Sequence, residues 1–263
     1  MSVVSGALNL SVEGLEFGWP GRSVARDCGF EIDFNVNGGR LPIVGRSGIG
    51  KSTLLYVLAG LKAATSGRVT WRFPDGHTEI WERQPRGKAS TRDLANLRRS
   101  RFGFAFQDSV LLPYMTVHEN LAYALDLSVE PQSIPADARE ERICAALSGV
   151  LIPRVEVYSE MAMKYPANLS GGQRRRVALA QAMVTSPTVL FADEPSSGLD
   201  NVTRGEVMTV VHDWVDLADE GRPRAFIWVT HHEDPIEFRA VHERIAFTRP
   251  NGMIEANVDL RNS

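Results

Sequence analysis

Cysteine is scarce in this chain, with two residues, Cys28 and Cys144, among 263. They lie far apart, in neither a metal-ligand nor a Cys-x-x-Cys spacing, which excludes a disulfide framework and points to a reducing cytosol. No window approaches eighteen uninterrupted apolar residues, so no membrane-spanning helix is expected. The start, Met1-Ser2-Val3-Val4-Ser5, lacks the basic lead and apolar core of a signal peptide. Charge of one sign is not in excess either. The formal net charge is -3, so no global pull toward nucleic acid or anionic lipid is expected, and partners must be recognised locally. Internal repeats and low-complexity segments are also lacking. What is present is an ordinary globular balance, 43% hydrophobic and 23% charged, with enough apolar material for a sizeable core.

Against that background one stretch stands out. Gly45-Arg46-Ser47-Gly48-Ile49-Gly50-Lys51-Ser52-Thr53 reads G-x-x-x-x-G-K-S, preceded by apolar Leu41, Ile43 and Val44 and followed by Leu54, Leu55, Val57 and Leu58. Strand, glycine loop, helix is the context in which this pattern carries chemistry. The glycines let the backbone wrap an anion, so that amide N–H groups and the positive end of the following helix face phosphate oxygens. Lys51 would reach the β- and γ-phosphates, and the Ser52 hydroxyl would ligate Mg2+, a hard cation that prefers oxygen.

Around this loop the chain reads as strands, then helices, then both in alternation. Residues 8–19 alternate loosely and Phe30, Ile32, Phe34 and Val36 strictly, as in a half-buried antiparallel sheet. Asn37-Gly38-Gly39 turns into the strand that feeds the loop, where Pro42, unable to donate, is expected at the first paired position. Val69, Trp71 and Phe73, the Pro74-Asp75-Gly76 turn and Ile80-Trp81 form a hairpin. Residues 83–101 are basic and read as a solvated loop followed by a short amphipathic helix, with no function assigned. A short strand, 102–106, ends at Gln107. Helical patterns follow at 117–127, 136–150 and around 155–163, punctuated by Pro131, Pro135, Pro153 and Pro166. From residue 171 helices (171–185, 201–220) alternate with strands (189–192, 225–229), and the tail gives strands at 244–248 and 253–258 around Pro250-Asn251-Gly252. Such alternation implies a mostly parallel sheet covered on both faces, interrupted by a helical insertion at about 108–184.

Two further constellations bear chemistry. Val189-Leu190-Phe191-Ala192-Asp193-Glu194 is an apolar strand ending in two carboxylates, and acids there point to a metal and a nucleophile. Asp193 would hold Mg2+ with Ser52, and Glu194 would polarise the attacking water. In Leu169-Ser170-Gly171-Gly172-Gln173, Ser170 and Gln173 have the spacing of a capping box, and the paired glycines let a ligand approach a second helix start.

The phosphate loop, Gln107, Leu169 to Gln173, the Asp193-Glu194 pair, Ser197-Gly198-Leu199-Asp200 and Thr230-His231 follow the order found in the ATP-binding-cassette ATPases, which this chain resembles over almost its whole length. The resemblance implies an α/β fold: a P-loop NTPase (RecA-like) core with a mostly parallel sheet, an N-terminal antiparallel β subdomain and an inserted helical subdomain. It implies one domain over 1–263, with the core and β subdomain at about 1–107 and 185–263 and the helical subdomain at about 108–184. It also implies head-to-tail dimers, of two copies or of this chain with a second cassette ATPase, in which one subunit's loop and the other's Ser170, Gly171, Gly172 and Gln173 sandwich ATP. Gln107 would contact Mg2+ and the nucleophilic water, His231 would hold the γ-phosphate and Glu194, and Asp200 would shape the dimer contact or cap the helix after it. The adenine would stack on Trp19, with Phe17 as the other candidate. His232, His77, His118, His212 and His242 read as ordinary polar or core residues, and Arg174-Arg175-Arg176 either complements the partner or solvates its face.

The function implied is ATP hydrolysis that energises transport through a separate permease, from a peripheral position at the cytoplasmic face of the inner membrane. Phe106, Leu111, Leu112, Tyr114 and Met115 would floor the permease groove, although they also suit a core. The alternative is a soluble cassette protein acting on nucleic acid or the ribosome, but the twin cassettes or long coiled coil usual there are lacking, so no nucleic acid is expected. A nucleotide kinase leaves 169–173 unexplained. No regulatory domain of the kind found in some sugar-importer ATPases is expected after the final hairpin.

Overall fold

The computed structural model describes residues 6–19, 22–82, 90–106, 110–128, 134–151, 157–218, 222–231, 235, 237–248 and 255–260. Along the chain run β1 (Asn9–Trp19), β2 (Arg22–Asp33), β3 (Arg40–Val44), α1 (Lys51–Leu58), β4 (Ser66–Arg72), β5 (Thr78–Glu82), α2 (Ser90–Arg101) and β6 (Phe102–Ala105). Then come α3 (Val117–Asp126), α4 (Ala136–Ser148), α5 (Tyr158–Ala162), a 3-10 turn at Pro166–Asn168, α6 (Gly171–Met183) and β7 (Val189–Asp193). The chain continues through α7 (Asn201–Asp216), β8 (Ala225–Val229), β9 (Glu243–Thr248) and β10 (Glu255–Leu260). The loop expected before α2 falls on residues 83–89, outside the described residues, as do residues 152–156 ahead of α5 and His232. The helix expected over 201–220 stops at Asp216.

Two sheets result. The antiparallel one has the order β2-β1-β4-β5, and the larger has the order β10-β9-β3-β8-β7-β6, parallel except for β10. The loose alternation of β1 is a change of phase. Leu10 and Val12 are buried, then Leu15 and Phe17, because the register shifts between Val12 and Leu15, where Gly14 takes φ 53°. A bulge inserted there returns the later apolar residues to the core face.

Strands β3, β7 and β8 are buried along their whole length, as a parallel sheet covered on both faces requires. Period two persists even though no polar residue marks it. In β8, Ala225, Ile227 and Val229 join the core shared with the antiparallel sheet and α1, whereas Phe226 and Trp228, stacked at 4.4 Å, join the core shared with α3, α4, α6 and α7. The helical insertion thus packs on one face of the sheet and the phosphate-loop helix on the other. Trp71 and Trp81 of the β4–β5 hairpin donate their indole N–H groups to the carbonyls of Leu58 and Val57, each at 3.0 Å, adding side-chain donors to acceptors at the end of α1.

Pro42 departs from expectation. It lies inside β3, opposite Trp228 of β8. The carbonyls of Gly39 and Ile43 accept from Phe226 and Thr230, so the odd-numbered residues face β8 and the nitrogen of Pro42 faces β9. Pairing with β9 begins only at Ile43, so no ladder bond is lost.

Asn120, fully buried on α3, pins the loop before that helix. Its Oδ1 accepts from the Leu112 N–H at 2.7 Å, and its Nδ2 is shared among the carbonyls of Leu112, Met115 and Thr116 at 2.9–3.2 Å. Replacement by Ala strands those groups in a dry interior. Asn120→Ala is expected to lower stability by about 1–3 kcal/mol, read from the shift of the urea unfolding midpoint.

Candidate nucleotide-binding site

The phosphate loop bridges the end of β3 at Val44 and the start of α1 at Lys51. Gly50 precedes α1 with φ 117°, and a Cβ there would lie 2.0 Å from Val24 Cγ1. Gly48 also needs positive φ, 73°, but has open space around it. No side chain caps α1, and a helix's first amides have no partner within the helix. Lys51 curls over the loop, its Nζ donating to the carbonyls of Gly45 at 2.8 Å and Arg46 at 3.0 Å. Burial pushes its pKa below the ordinary lysine value, while the Glu194 and Asp193 carboxylates pull it the other way. Arg46, Ser47 and Gly48 are exposed, Ile49 leans on the core, and Thr53 is buried.

Ser52 and Asp193 meet as the sequence implies: Ser52 Oγ donates to Asp193 Oδ1 at 2.8 Å. The other carboxylate oxygen accepts from the Tyr56 hydroxyl at 2.6 Å. Burial, together with this bond to Asp193, raises the Tyr56 pKa well above the usual phenol value. An all-oxygen pair from two elements suits Mg2+. Among the described residues no cluster of three His, Cys, Asp or Glu side chains could hold a metal, so ligands beyond Ser52 and Asp193 would be other oxygen donors.

Glu194, just past β7, takes φ 50°, the left-handed region. Its N–H donates to Val229 O at 3.1 Å, and its own carbonyl accepts from Ser197 N at 3.2 Å. His231 Nδ1 stands 3.6 Å from Glu194 Oε1. Beneath them the fully buried Glu237 accepts from Ser196 Oγ, and from Thr230 Oγ1 at 2.6 Å, tying the turn after Glu194 to the residue before His231.

Ser170 caps α6, with reciprocal bonds between Ser170 and Gln173 completing the capping box. Only one of the two glycines answers the open-approach reading. Gly171 is exposed with nothing within 4 Å of a Cβ position, whereas a Cβ on Gly172 would meet Thr203 Cγ2 of α7 at 2.5 Å. Gly172 is therefore small for its own chain's packing, although it remains half-buried and not enclosed. The three arginines find partners within the chain: Arg174 at Pro166 O (3.1 Å), Arg175 at Glu194 O (3.1 Å) and Ser197 O (2.9 Å), and buried Arg176 at Glu206 (3.0 Å). Asp200 caps α7 through the N–H groups of Val202 and Thr203.

Of the two stacking candidates, Phe17 is fully buried against Phe247 and presents no face to a ligand. Trp19 is 56% exposed at the end of β1, with Lys62 Nζ 3.7 Å from its ring centroid. Leu111 belongs to the helical core, while Tyr114 is 92% exposed and Phe106 and Met115 are partly open. Gln107 lies outside the described residues. Tyr56, Glu237 and the inward turn of Arg175 escape the sequence reading. No motif marks the first two, and a basic triplet does not say which way each side chain points.

A glycine loop between a parallel strand and a helix, with a hydroxyl–carboxylate pair beside it, defines a P-loop nucleotide-binding domain. A family profile described as ABC transporter matches residues 30–197, and this chain belongs to that family. It is 32% identical to the sulfate/thiosulfate import ATP-binding protein CysA 1 of Shewanella oneidensis over 83% of this chain and 50% of that protein. It is 36% identical to the macrolide export ATP-binding/permease protein MacB of Shigella flexneri over 85% of this chain and 30% of that one. The chain thus spans about half the length of the sulfate/thiosulfate relatives. Among solved structures, a dimeric ATP-binding cassette in a post-hydrolysis state bound to ADP and Pi shares the fold, with a TM-score of 0.72 at 23% identity over 97% of this chain and 99% of that one. The cbiO1 chain of Clostridium perfringens, part of the cbiONQ complex, gives 0.70 at 25% identity over 93% and 86%.

The loop geometry separates two causes of glycine use. Gly48→Ala pays only the left-handed backbone cost, about 1 kcal/mol, and Gly50→Ala adds displacement of Val24. Urea midpoints of the two variants are expected to rank Gly50→Ala clearly below Gly48→Ala.

Proposed function

We propose that this chain binds and hydrolyses ATP and, by closing on a second cassette subunit, drives transport through a separate permease. The observation that carries this reading is the meeting of Ser52, Asp193, Glu194 and His231 at the strand ends of the parallel sheet, while Ser170 and Gly171 are exposed at the head of another helix. The first group prepares one phosphate site, and the second is left over for another chain's nucleotide.

In this proposal Gly45, Arg46, Ser47, Gly48, Ile49, Gly50 and Thr53 form the phosphate cradle with Lys51, whose ammonium exchanges the Gly45 and Arg46 carbonyls for phosphate oxygens. Ser52, Asp193 and Gln107 would hold Mg2+, which when bound neutralises phosphate charge. Glu194 accepts a proton from the attacking water, and His231, within reach of its carboxylate, keeps it aimed. Trp19 stacks on the adenine once Lys62 has moved aside. Ser170, Gly171, Gly172 and Gln173 complete the partner's site, with the positive end of α6 toward the γ-phosphate. The nucleotide core takes residues of about 1–107 and 185–263, and the helical subdomain about 108–184.

Transport is supported by the relatives' names, one an import ATP-binding protein and the other an export ATP-binding/permease protein. No helix among the described residues is long and apolar enough to cross a membrane, and the proposed place is peripheral, on the cytoplasmic face of the inner membrane. The exposed Tyr114, with the partly open Phe106 and Met115, is the proposed permease contact.

Glu194→Gln is expected to keep ATP binding, slow hydrolysis by about 100-fold or more and accumulate a dimer on gel filtration with ATP. Unchanged turnover removes Glu194 from the base role. Ser170→Arg is expected to leave binding of a fluorescent ATP analogue by the monomer intact and abolish turnover. Loss of monomer binding instead would contradict the two-chain site.

A further inference from the structure

Glu194 holds a left-handed backbone with a side chain attached, a conformation that persists only where the surroundings over-determine it. Two of the bonds that fix it are local to the sheet and the turn: its N–H to Val229 O and its carbonyl from Ser197 N. A third comes from a different part of the molecule. Arg175, on the second turn of α6, donates from NH1 to Glu194 O at 3.1 Å and from NH2 to Ser197 O at 2.9 Å. One guanidinium therefore grips both ends of the turn that carries the proposed base. Its planar fork makes this a directional hold that a lysine ammonium does not reproduce.

The head of α6 is itself stiff. Ser170 and Gln173 close its first turn, Arg176 is paired with Glu206, and Gly172 sits against Thr203 of α7. A displacement at Ser170 and Gly171 is carried by the helix to Arg175, less than two turns away. We propose that Arg175 is a positioning residue that couples the two nucleotide sites: engagement of the partner's ATP by this chain's α6 sets the backbone of this chain's own Glu194. The inference rests on the two-chain reading above, with a second copy of this chain as the partner.

The test uses mixed dimers of differently tagged full chains, with turnover measured at one site. In a dimer of a wild-type chain and a Lys51→Ala chain, the wild-type loop turns over while its own α6 faces an unloaded loop. Turnover per intact site is expected to fall about tenfold relative to the wild-type dimer. With Arg175→Gln in the chain that keeps its Lys51, compared with an Arg175→Gln dimer loaded at both sites, that ratio is expected to collapse to about one. Arg175→Lys, which retains charge but not the fork, is expected to behave like Arg175→Gln. If the ratio stays near tenfold in both variants, Arg175 only supports the fold and the coupling role is wrong. A ratio near one in the wild type removes the coupling altogether. A mixed dimer with Ser170→Arg only in the second chain must lose turnover at the wild-type loop. If it does not, or if ATP yields no mixed dimers in the Glu194→Gln background, the two-chain reading falls, and the inference with it.

Discussion

The site depends on one row of the parallel sheet. Ile43 of β3 stands opposite Val229 of β8, and Val229 stands opposite Asp193 of β7. All three strands are buried on both faces, so polar side chains can enter the chemistry only where the strands end. They end at the same level. The phosphate loop leaves after Val44, the carboxylate pair after Ala192, and Thr230-His231 after Val229, and the bonds from Glu194 N to Val229 O and from Thr230 N to Ile43 O stitch the three exits together. The proposed hydrolysis of a phosphoanhydride asks mainly for position and charge, and this row would supply the position.

Much of this was legible in the sequence because glycine loops, capping boxes and strand-end carboxylates are local patterns. The Ser170–Gln173 box and the Asp200 cap form as their spacing implies, and Ser52 and Asp193, read as partners on a metal, lie within hydrogen-bond distance. What escaped depends on three-dimensional context. Tyr56 sits at an apolar-looking position of α1, and only the packing of β7 beside that helix brings its hydroxyl to Asp193. Glu237 follows a stretch without periodicity, so nothing announces a buried acid bridging two strand exits. The sequence left Trp19 and Phe17 both open. The register shift near Gly14 returns Phe17 to the interior, and a further shift after Phe17 precedes the exposed Trp19.

Pro42 and Gly172 illustrate a second limit. Each residue type was read for the constraint it usually expresses, a missing donor in one case and ligand access in the other. The register of β9 removes the penalty for Pro42, and the crossing of α7 gives Gly172 a packing role. Residue chemistry defines what a position can tolerate, and neighbouring elements decide which tolerance is used.

The indole bonds at the far end of α1 have a mechanical meaning. In the proposed role, a triphosphate held at Lys51 and Ser52 would draw on that eight-residue helix along its length. Trp71 and Trp81 hold its tail by the carbonyls of Leu58 and Val57, so the load passes straight into the β4–β5 hairpin. That hairpin would thus serve as the anchorage against which a bound nucleotide pulls.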